Sequence, residues 1–206
     1  MISRRLALAA GALAAVATLP IIADAAADPA SAATTVSSFY DVLMLVMKEG
    51  PSLGFKGRYD RLNPKVRTTF DFPLMTRLMV GPQWASLTPA QQQQLVAAFS
   101  DFSAATYASR FDEYSGERFQ VDPKPMASNG GVIVRTKLVK SDGEPVELDY
   151  LLRASDDVWR VIDVYLSGTV SELATRRSEF SAVLRRGGPD ALVDVLLQKT
   201  AALRSS

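Results

Sequence analysis

The spacing of apolar residues changes twice along this 206-residue chain, and this change restricts the fold more than any other feature. From residue 35 to about residue 114, apolar side chains recur every three or four positions, which indicates helices. From residue 117 to residue 166 they alternate with polar ones, which indicates strands with one buried face. Helical spacing returns after Gly168. This order predicts an α+β protein in which helices cover an antiparallel sheet.

Local start and stop signals divide the helical regions. We expect a first helix over residues 35–48 that ends at Gly50-Pro51, followed by a short helix with Asn63 as its cap and Pro64 at its first position. A long helix is expected from Thr88 to about residue 114. After the strands, Ser171 caps a helix that ends at Gly187-Gly188, and a last helix covers residues 189–199.

The predicted sheet is curved and has about four strands, near residues 119–121, 132–138, 146–152 and 158–166. A three-residue loop at 141–143 sets the register, because a slip by one residue would bury Glu147. In this register Val134 lies opposite Tyr150 on the buried face, and Lys137 lies opposite Glu147 outside. In the last strand, Asp163 occupies a position on the apolar face, where a carboxylate needs hydrogen-bond donors.

Residues 1–27 have the pattern of a cleavable signal peptide. Arg4 and Arg5 precede an alanine-rich apolar stretch, and small residues at alternating positions before residue 27 suit a signal peptidase. The predicted mature chain, residues 28–206, has the length of a single domain. Because the chain has no cysteine, neither a disulfide nor a lipoprotein anchor is available. We therefore expect a soluble exported protein.

Composition excludes several functional classes. Without residues 1–27, basic and acidic residues are equal in number, which argues against a nucleic-acid partner. The chain has no histidine, so catalytic triads with histidine and zinc sites that depend on it are excluded. No P-loop, Rossmann glycine pattern or nucleophile elbow is present, and we expect no cofactor, no metal and no catalytic residue. A hydrolase that uses Asp71 or Asp163 stays open as a minor alternative.

Two ordered sets of residues resemble the MlaC family of periplasmic phospholipid-transport proteins, also called the toluene-tolerance auxiliary family. The first set is Phe70, Asp71, Phe72, Met75, Thr76, Arg77, Leu78, Gly81, Trp84, Leu87, Thr88, Pro89, Ala90 and Gln91. The second set is Tyr150, Trp159, Val161, Asp163, Val164, Gly168, Arg177, Ser178 and Phe180. The segment Ala174-Thr175-Arg176 replaces the Asn-Tyr that precedes the arginine in phospholipid carriers. This region looks closer to the hopanoid-associated branch, HpnM.

The resemblance implies a soluble periplasmic lipid carrier with no enzymatic activity, whose cargo is phospholipid or hopanoid. Its implied partners are an inner-membrane lipid transporter and an outer-membrane lipid complex. Such a function is physically reasonable, since a sheet packed against helices can leave an apolar cavity between the layers. The alternative is an interaction module of a membrane-transport complex that binds no lipid and has a fully packed core.

Large apolar side chains expected to face the cavity form the candidate lipid-binding set. They are Met75, Leu78, Met79, Trp84, Phe99, Phe102, Val134, Leu148, Tyr150, Trp159, Val161 and Phe180.

Overall fold

The computed structural model describes residues 27–205, in which four α-helices cover a seven-stranded antiparallel sheet. The helices are α1 (Pro29–Thr69), α2 (Phe72–Val80), α3 (Pro89–Arg110) and α4 (Glu172–Arg204), with a 3₁₀ turn at Gly81–Ser86. The strands are β1 (Arg118–Val121), β2 (Met126–Ser128), β3 (Gly131–Val134), β4 (Thr136–Val139), β5 (Pro145–Ser155), β6 (Val158–Leu166) and β7 (Val170–Ser171). The predicted α+β class is confirmed. The predicted signal peptide lies outside the described residues except for Ala27.

The first helix continues past Gly50-Pro51, so the predicted end at that point is wrong. The break comes later, at Gly54, which has φ 61° and ψ 177°. Gly50 serves another purpose, because a Cβ on it would lie 1.9 Å from the carbonyl oxygen of Asp112. Arg58 stabilises the region by donating to the carbonyl groups of Gly50 (3.2 Å) and Ala108 (2.8 Å). The glycine therefore permits close packing between α1 and the segment after α3.

Asn63-Pro64 does not begin a helix either, and this prediction is also wrong. Both residues lie inside α1, where Leu62 and Val66 are fully buried and hold the segment in the core. Tertiary packing thus overrides the local proline signal. Among the described residues, α1 is the one helix long and apolar enough to cross a membrane, but its apolar face is buried against the rest of the protein. We interpret it as a core helix.

Two of the predicted side-chain caps, Thr88 and Ser171, are confirmed. The Thr88 side chain accepts a hydrogen bond from the Gln91 amide, and the Gln91 side chain accepts one from the Thr88 amide, which forms a capping box. Ser171 accepts from the amide of Ala174 at 2.9 Å. The predicted break in the last helical region is also present, since Gly188 has φ 71° and ψ −167°. Helix α3 ends at Arg110, about one turn before its predicted end.

The sheet has more strands than the four predicted because its outer strands are interrupted. β5 pairs with β3 and β4 along one edge and with β6 along the other; β1 pairs with β4, β2 with β3, and β7 with β6. The predicted strand 132–138 is split at Arg135, whose carbonyl accepts from the Asp122 amide at 2.9 Å. The short strands β2 and β7 were not predicted.

The predicted register is confirmed. Val134 lies opposite Tyr150, and Lys137 lies opposite Glu147 with their charged atoms 3.8 Å apart. Gly143, at φ 89°, supplies the left-handed residue of the connecting loop. The buried side of this sheet faces the helices.

Two contacts attach the ends of α1 to β6. The Trp159 indole N–H donates to the carbonyl oxygen of Asp28 at 2.9 Å, just before α1 begins. After α1 ends, Phe70 forms a parallel bridge with Val161, and the Asp71 amide donates to the Val161 carbonyl at 2.9 Å. Helices α3 and α4 pack on each other and on α2. This arrangement leaves space between α3, the start of α4 and the sheet.

Candidate functional site

A cavity of about 150 Å³ lies between α3, the first turns of α4 and strands β5 and β6. One face of α3 forms much of its wall through side chains at helical spacing: Phe99, Phe102, Ser103, Thr106, Tyr107 and Arg110. The hydroxyl groups of Ser103 and Thr106 donate to the carbonyls four residues earlier, both at 2.8 Å, so they add little free polarity. The α3 wall is therefore mainly apolar, with a charged residue at its end.

The opposite wall comes from the sheet and α4. Strand β5 contributes Leu148 and Tyr150; β6 contributes three residues, and Leu173 adds an apolar contact from α4. The remaining lining residues are Phe70, Met75, Phe111, Asp163, Val164, Leu166, Glu172 and Arg176. Most of the exposed surface within the cavity is apolar, which suits a hydrocarbon guest.

Aromatic rings connect the cavity to the core beneath it. Tyr107 makes an edge contact with Phe39 at 5.1 Å between centroids and stacks with Phe111 at 5.9 Å. Deeper in the core, Tyr40 stacks on Phe119 at 4.1 Å. Such offset and edge geometries stabilise aromatic clusters beyond the area they bury. This part of the cavity wall is consequently a continuous aromatic cluster.

Burial keeps the tyrosines of this cluster neutral. It raises the pKa of Tyr40 to about 12, although the hydrogen bond between its hydroxyl and that of Thr136, at 2.6 Å, acts in the opposite direction. Burial likewise raises the pKa values of Tyr107 and Tyr150 above the usual value for tyrosine. The interior thus contains polar hydroxyl groups without charge at any physiological pH.

Asp163 lies at the junction of the cavity, β6 and α4, and is 7% exposed. Its carboxylate accepts three hydrogen bonds, from the Val164 amide (2.8 Å), the Ser171 hydroxyl (2.6 Å) and the Leu173 amide (3.0 Å). The Leu173 amide is among the N–H groups that lack a partner within α4 itself. The buried acid has the hydrogen-bond donors that the sequence predicted it would need, and it attaches the beginning of α4 to the sheet.

A chain of ion pairs begins at Arg176 and Glu172 in the cavity lining and extends to Lys199. Arg176 pairs with Glu172 (3.4 Å) and Glu179 (2.9 Å), and its guanidinium carbon lies 5.2 Å from the centroid of the Phe102 ring. Lys199 pairs with Glu179 at 2.7 Å. Burial alone would raise the pKa of Glu179, but the hydrogen bonds from Lys199 and Arg176 outweigh it and lower this pKa. The network holds Arg176 in a fixed position.

The candidate lipid-binding residues fall into three groups. Met75, Phe99, Phe102, Leu148 and Tyr150 line the cavity. A second group is buried in the core but does not line the cavity: Met79, Val134, Trp159, Val161 and Phe180. Leu78 is 42% exposed on α2, and Trp84 is half-buried in the 3₁₀ turn. Lipid contact by these residues remains a prediction.

Sequence reasoning missed several lining residues, among them Ser103, Tyr107 and Leu173. The positions on α3 had a usable signal, because they follow Phe99 and Phe102 on one helical face at intervals of three and four residues. Leu166 and the charged residues had no such signal. Their position depends on where the end of β6 meets the start of α4.

The two acids considered for hydrolysis both have structural roles. Asp71 caps α2 by accepting from the Leu74 amide at 3.0 Å, and Asp163 is engaged as described. Within residues 27–205, no group of three or more acidic side chains is placed to hold a metal ion. The fold and its cavity define an α+β protein with a small apolar chamber between two layers.

Comparison with protein families identifies the group within this class. The family described as MlaC protein matches residues 38–198, which is most of the chain. The chain belongs to the MlaC family.

A solved structure also shares the fold. A phospholipid-binding protein from Ralstonia solanacearum, determined in complex with a phospholipid, is 29% identical in sequence. The match covers 84% of this chain and 98% of that protein, with a TM-score of 0.72. This likeness confirms the arrangement of helices around an antiparallel sheet.

Proposed function

We propose that this protein is a non-enzymatic lipid carrier that binds a phospholipid between its sheet and helices α3 and α4. The apolar cavity at this place in the fold is the observation that carries the proposal. Membership of the MlaC family and the phospholipid complex of the Ralstonia solanacearum protein support it. The structural roles of Asp71 and Asp163 agree with binding without chemistry.

The binding energy would come from burying acyl chains. Each methylene group removed from water contributes about 0.8 kcal/mol, so ten buried methylenes supply about 8 kcal/mol before the cost of opening. That is sufficient for retention in water without any strong polar contact. A carrier needs little more than a shielded apolar volume.

The cavity must widen to accept this cargo. Its volume of about 150 Å³ is smaller than the roughly 300–1,000 Å³ of pockets that enclose drug-sized ligands. We therefore interpret the structure as a closed form. Lipid entry would separate the first part of α4 and the exposed end of α3 from the sheet, and the gained hydrocarbon burial would offset the lost contacts.

The proposal places the carrier in the periplasm after removal of residues 1–27. There it would exchange lipid with an inner-membrane transporter and an outer-membrane lipid complex, through transient contacts. Such a carrier releases cargo when a partner offers an equally apolar site or favours the open form.

Mass spectrometry of protein purified under native conditions tests the proposal. We expect co-purified phospholipid in a one-to-one ratio, and uptake of added lipid by the delipidated protein. Ser103→Phe fills the cavity from α3 and should reduce uptake at least tenfold. Ala97→Phe places the same ring on the exposed side of α3 and should bind normally. Absence of lipid from the native protein, together with no uptake by delipidated protein, overturns the proposal.

A hopanoid is the second cargo to compare, because Ala174-Thr175-Arg176 resembles the hopanoid-associated branch. A rigid polycycle needs a wide opening and gains nothing from headgroup contacts, whereas flexible acyl chains can fill an irregular space. Competition between a hopanoid and a phospholipid for delipidated protein separates the two. Preferential hopanoid retention would assign the chain to that branch.

A further inference from the structure

The mouth of the cavity contains two arginines with different environments. Arg176 is restrained, with a side chain 19% exposed, two ion pairs and a contact with the Phe102 ring. Arg110 is exposed at the last position of α3 and also lines the cavity. Among the described residues, no carboxylate lies within 4.0 Å of its guanidinium. Arg176 is therefore neutralised by carboxylates, whereas the Arg110 guanidinium is free to bind an anion.

Four charged side chains line the cavity, Arg110, Arg176, Asp163 and Glu172, and their formal charges cancel. Both carboxylates are engaged, Glu172 by Arg176 and Asp163 by three hydrogen-bond donors. Within the described part of the chain, Arg110 is therefore the lining cation without a paired carboxylate, and its guanidinium is open to an anion. The guanidinium group suits phosphate oxygens in particular, because its N–H donors form paired, charge-assisted hydrogen bonds.

We propose that Arg110 and Arg176 form a recognition site for the phosphodiester group of a lipid whose acyl chains occupy the cavity. Glu172 forms an ion pair with Arg176 in the closed form, and the phosphodiester replaces Glu172 as the partner of Arg176 when cargo enters. Phe102 supports the Arg176 guanidinium from the apolar side, so the cation stays at the boundary between hydrocarbon and water. This inference rests on the proposed function and adds selectivity for phosphate-containing lipids.

The two arginines would provide selectivity between lipids, while most of the binding free energy would come from the acyl chains. Hydrocarbon burial is common to all diacyl lipids and cannot separate a phospholipid from a diacylglycerol with the same chains. Contacts at the mouth differ between the two, because only the phospholipid has an anion to pair with Arg110 and Arg176. Exposure to solvent makes the contribution of Arg110 sensitive to salt.

The test compares retention of two lipids with identical chains, dioleoyl phosphatidylglycerol and dioleoylglycerol, by the delipidated mature protein. We expect the wild type to prefer the phospholipid. Arg110→Gln and Arg176→Gln should each lower the ratio of phospholipid to diacylglycerol about five- to tenfold. Glu172→Gln should raise the ratio. Circular dichroism and urea unfolding of each variant check that it is folded.

Arg177→Gln is the matched control, because Arg177 is exposed, lies beside Gly81 and does not line the cavity. It should leave the ratio unchanged. An unchanged ratio in the Arg110→Gln/Arg176→Gln double variant overturns the inference. Tight binding of free sn-glycerol 3-phosphate would reassign the site to a soluble phosphate compound and likewise overturn it.

The same measurements separate this inference from the proposed function. If the wild type retains neither lipid, lipid carriage itself fails. If it retains both lipids equally and the arginine variants behave like the wild type, only the phosphodiester site fails.

Discussion

At the residue scale, Asp163 connects the last long strand to the last helix. Replacing it with asparagine keeps the size but places an amide where N–H and O–H donors converge. We expect Asp163→Asn to lower the free energy of unfolding by about 1–3 kcal/mol, because at least one buried donor loses its partner. Urea unfolding followed by circular dichroism measures this change.

Asp157→Asn is the control for this substitution. Asp157 is an exposed turn residue at φ 58°, a conformation that asparagine tolerates, and its replacement should change stability by less than about 0.5 kcal/mol. If Asp157→Asn lowered the free energy of unfolding as much as Asp163→Asn, the structural role assigned to Asp163 would be contradicted.

Glu179 provides a prediction about pH. Its pKa is lower in the folded protein than in the unfolded chain, so the folded state favours the ionised form. The resulting stabilisation is present above the unfolded pKa, near pH 4, and disappears as the pH falls through the lower folded value. Wild type should therefore exceed Glu179→Gln in stability at pH 6, and the difference should decrease as the pH falls below the unfolded pKa. Chemical unfolding of both proteins across this range is the measurement; a difference that grows on acidification contradicts the ion-pair assignment.

Single residues also show where sequence reasoning stops. The unusual position of Asp163 was visible because a carboxylate interrupts an apolar face of a strand. Met75 and Met79, by contrast, have the same chemistry and lie one turn apart on α2, yet only Met75 lines the cavity. Which of two apolar side chains faces empty space depends on how closely a second layer approaches, and a single sequence does not contain that distance.

At the scale of elements, the two long helices are bent by glycines in conformations that other residues avoid. Gly188 has φ 71° and ψ −167°, and an added Cβ would meet no atom within 4 Å. Gly188→Ala should therefore destabilise the protein by about 1–3 kcal/mol through backbone strain alone. Thermal unfolding measures the loss. Gly57→Ala is the control, because Gly57 lies within α1 without a positive φ. Its added Cβ would lie 3.0 Å from the Cβ of Leu53, and the change should cost less.

Helix ends set by neighbouring residues were predicted correctly, whereas those set by long-range contacts were not. Thr88 and Gln91 form a cap from residues three positions apart, so the sequence contained the whole signal. The Gly50-Pro51 pair looked equally decisive but lies within α1, because packing against the segment after α3 and hydrogen bonds from Arg58 stabilise the helix there. Long-range contacts of this kind decide cases in which local signals oppose a helix.

The strands follow the same rule. Alternation identified β5 and β6, and it set the register of β5 against residues 134–137, since many positions had to agree. The strands β2 and β7, with three and two residues, are too short to show a period. The interruption at Arg135 arises from hydrogen bonds to Asp122 and Asp149, which lie thirteen or more positions away from the residues they bind.

At the scale of the whole molecule, we expect lipid loading to change the hydrogen exchange of some helices and not of others. Opening the cavity separates α4 and α3 from the sheet, whereas α1 is attached to β6 at both ends. Hydrogen exchange should therefore change in residues 99–110 and 172–187 and stay constant in residues 32–47. Mass spectrometry of loaded and delipidated protein measures this.

Ser103→Phe offers a control for the exchange experiment, because its filled cavity should give the same pattern with and without lipid. Uniform protection over the whole chain would contradict a local opening and indicate general stabilisation by ligand.

The general architecture was accessible from sequence, while the size of the cavity was not. A change of period from helix to strand and back predicted two layers with apolar faces. The space left between them depends on small differences in the positions of α3, α4 and β6, to which residues such as Leu173 and Leu166 contribute from elements far apart in sequence.

The hydrogen bond between Trp159 and the Asp28 carbonyl has a practical consequence. The chain has two tryptophans, and the other, Trp84, is half-buried in the 3₁₀ turn. In a Trp84→Phe protein, fluorescence would come from a single indole at the junction of the first helix and the sheet. Its emission wavelength would report, in real time, whether that junction stays dry while cargo enters the cavity.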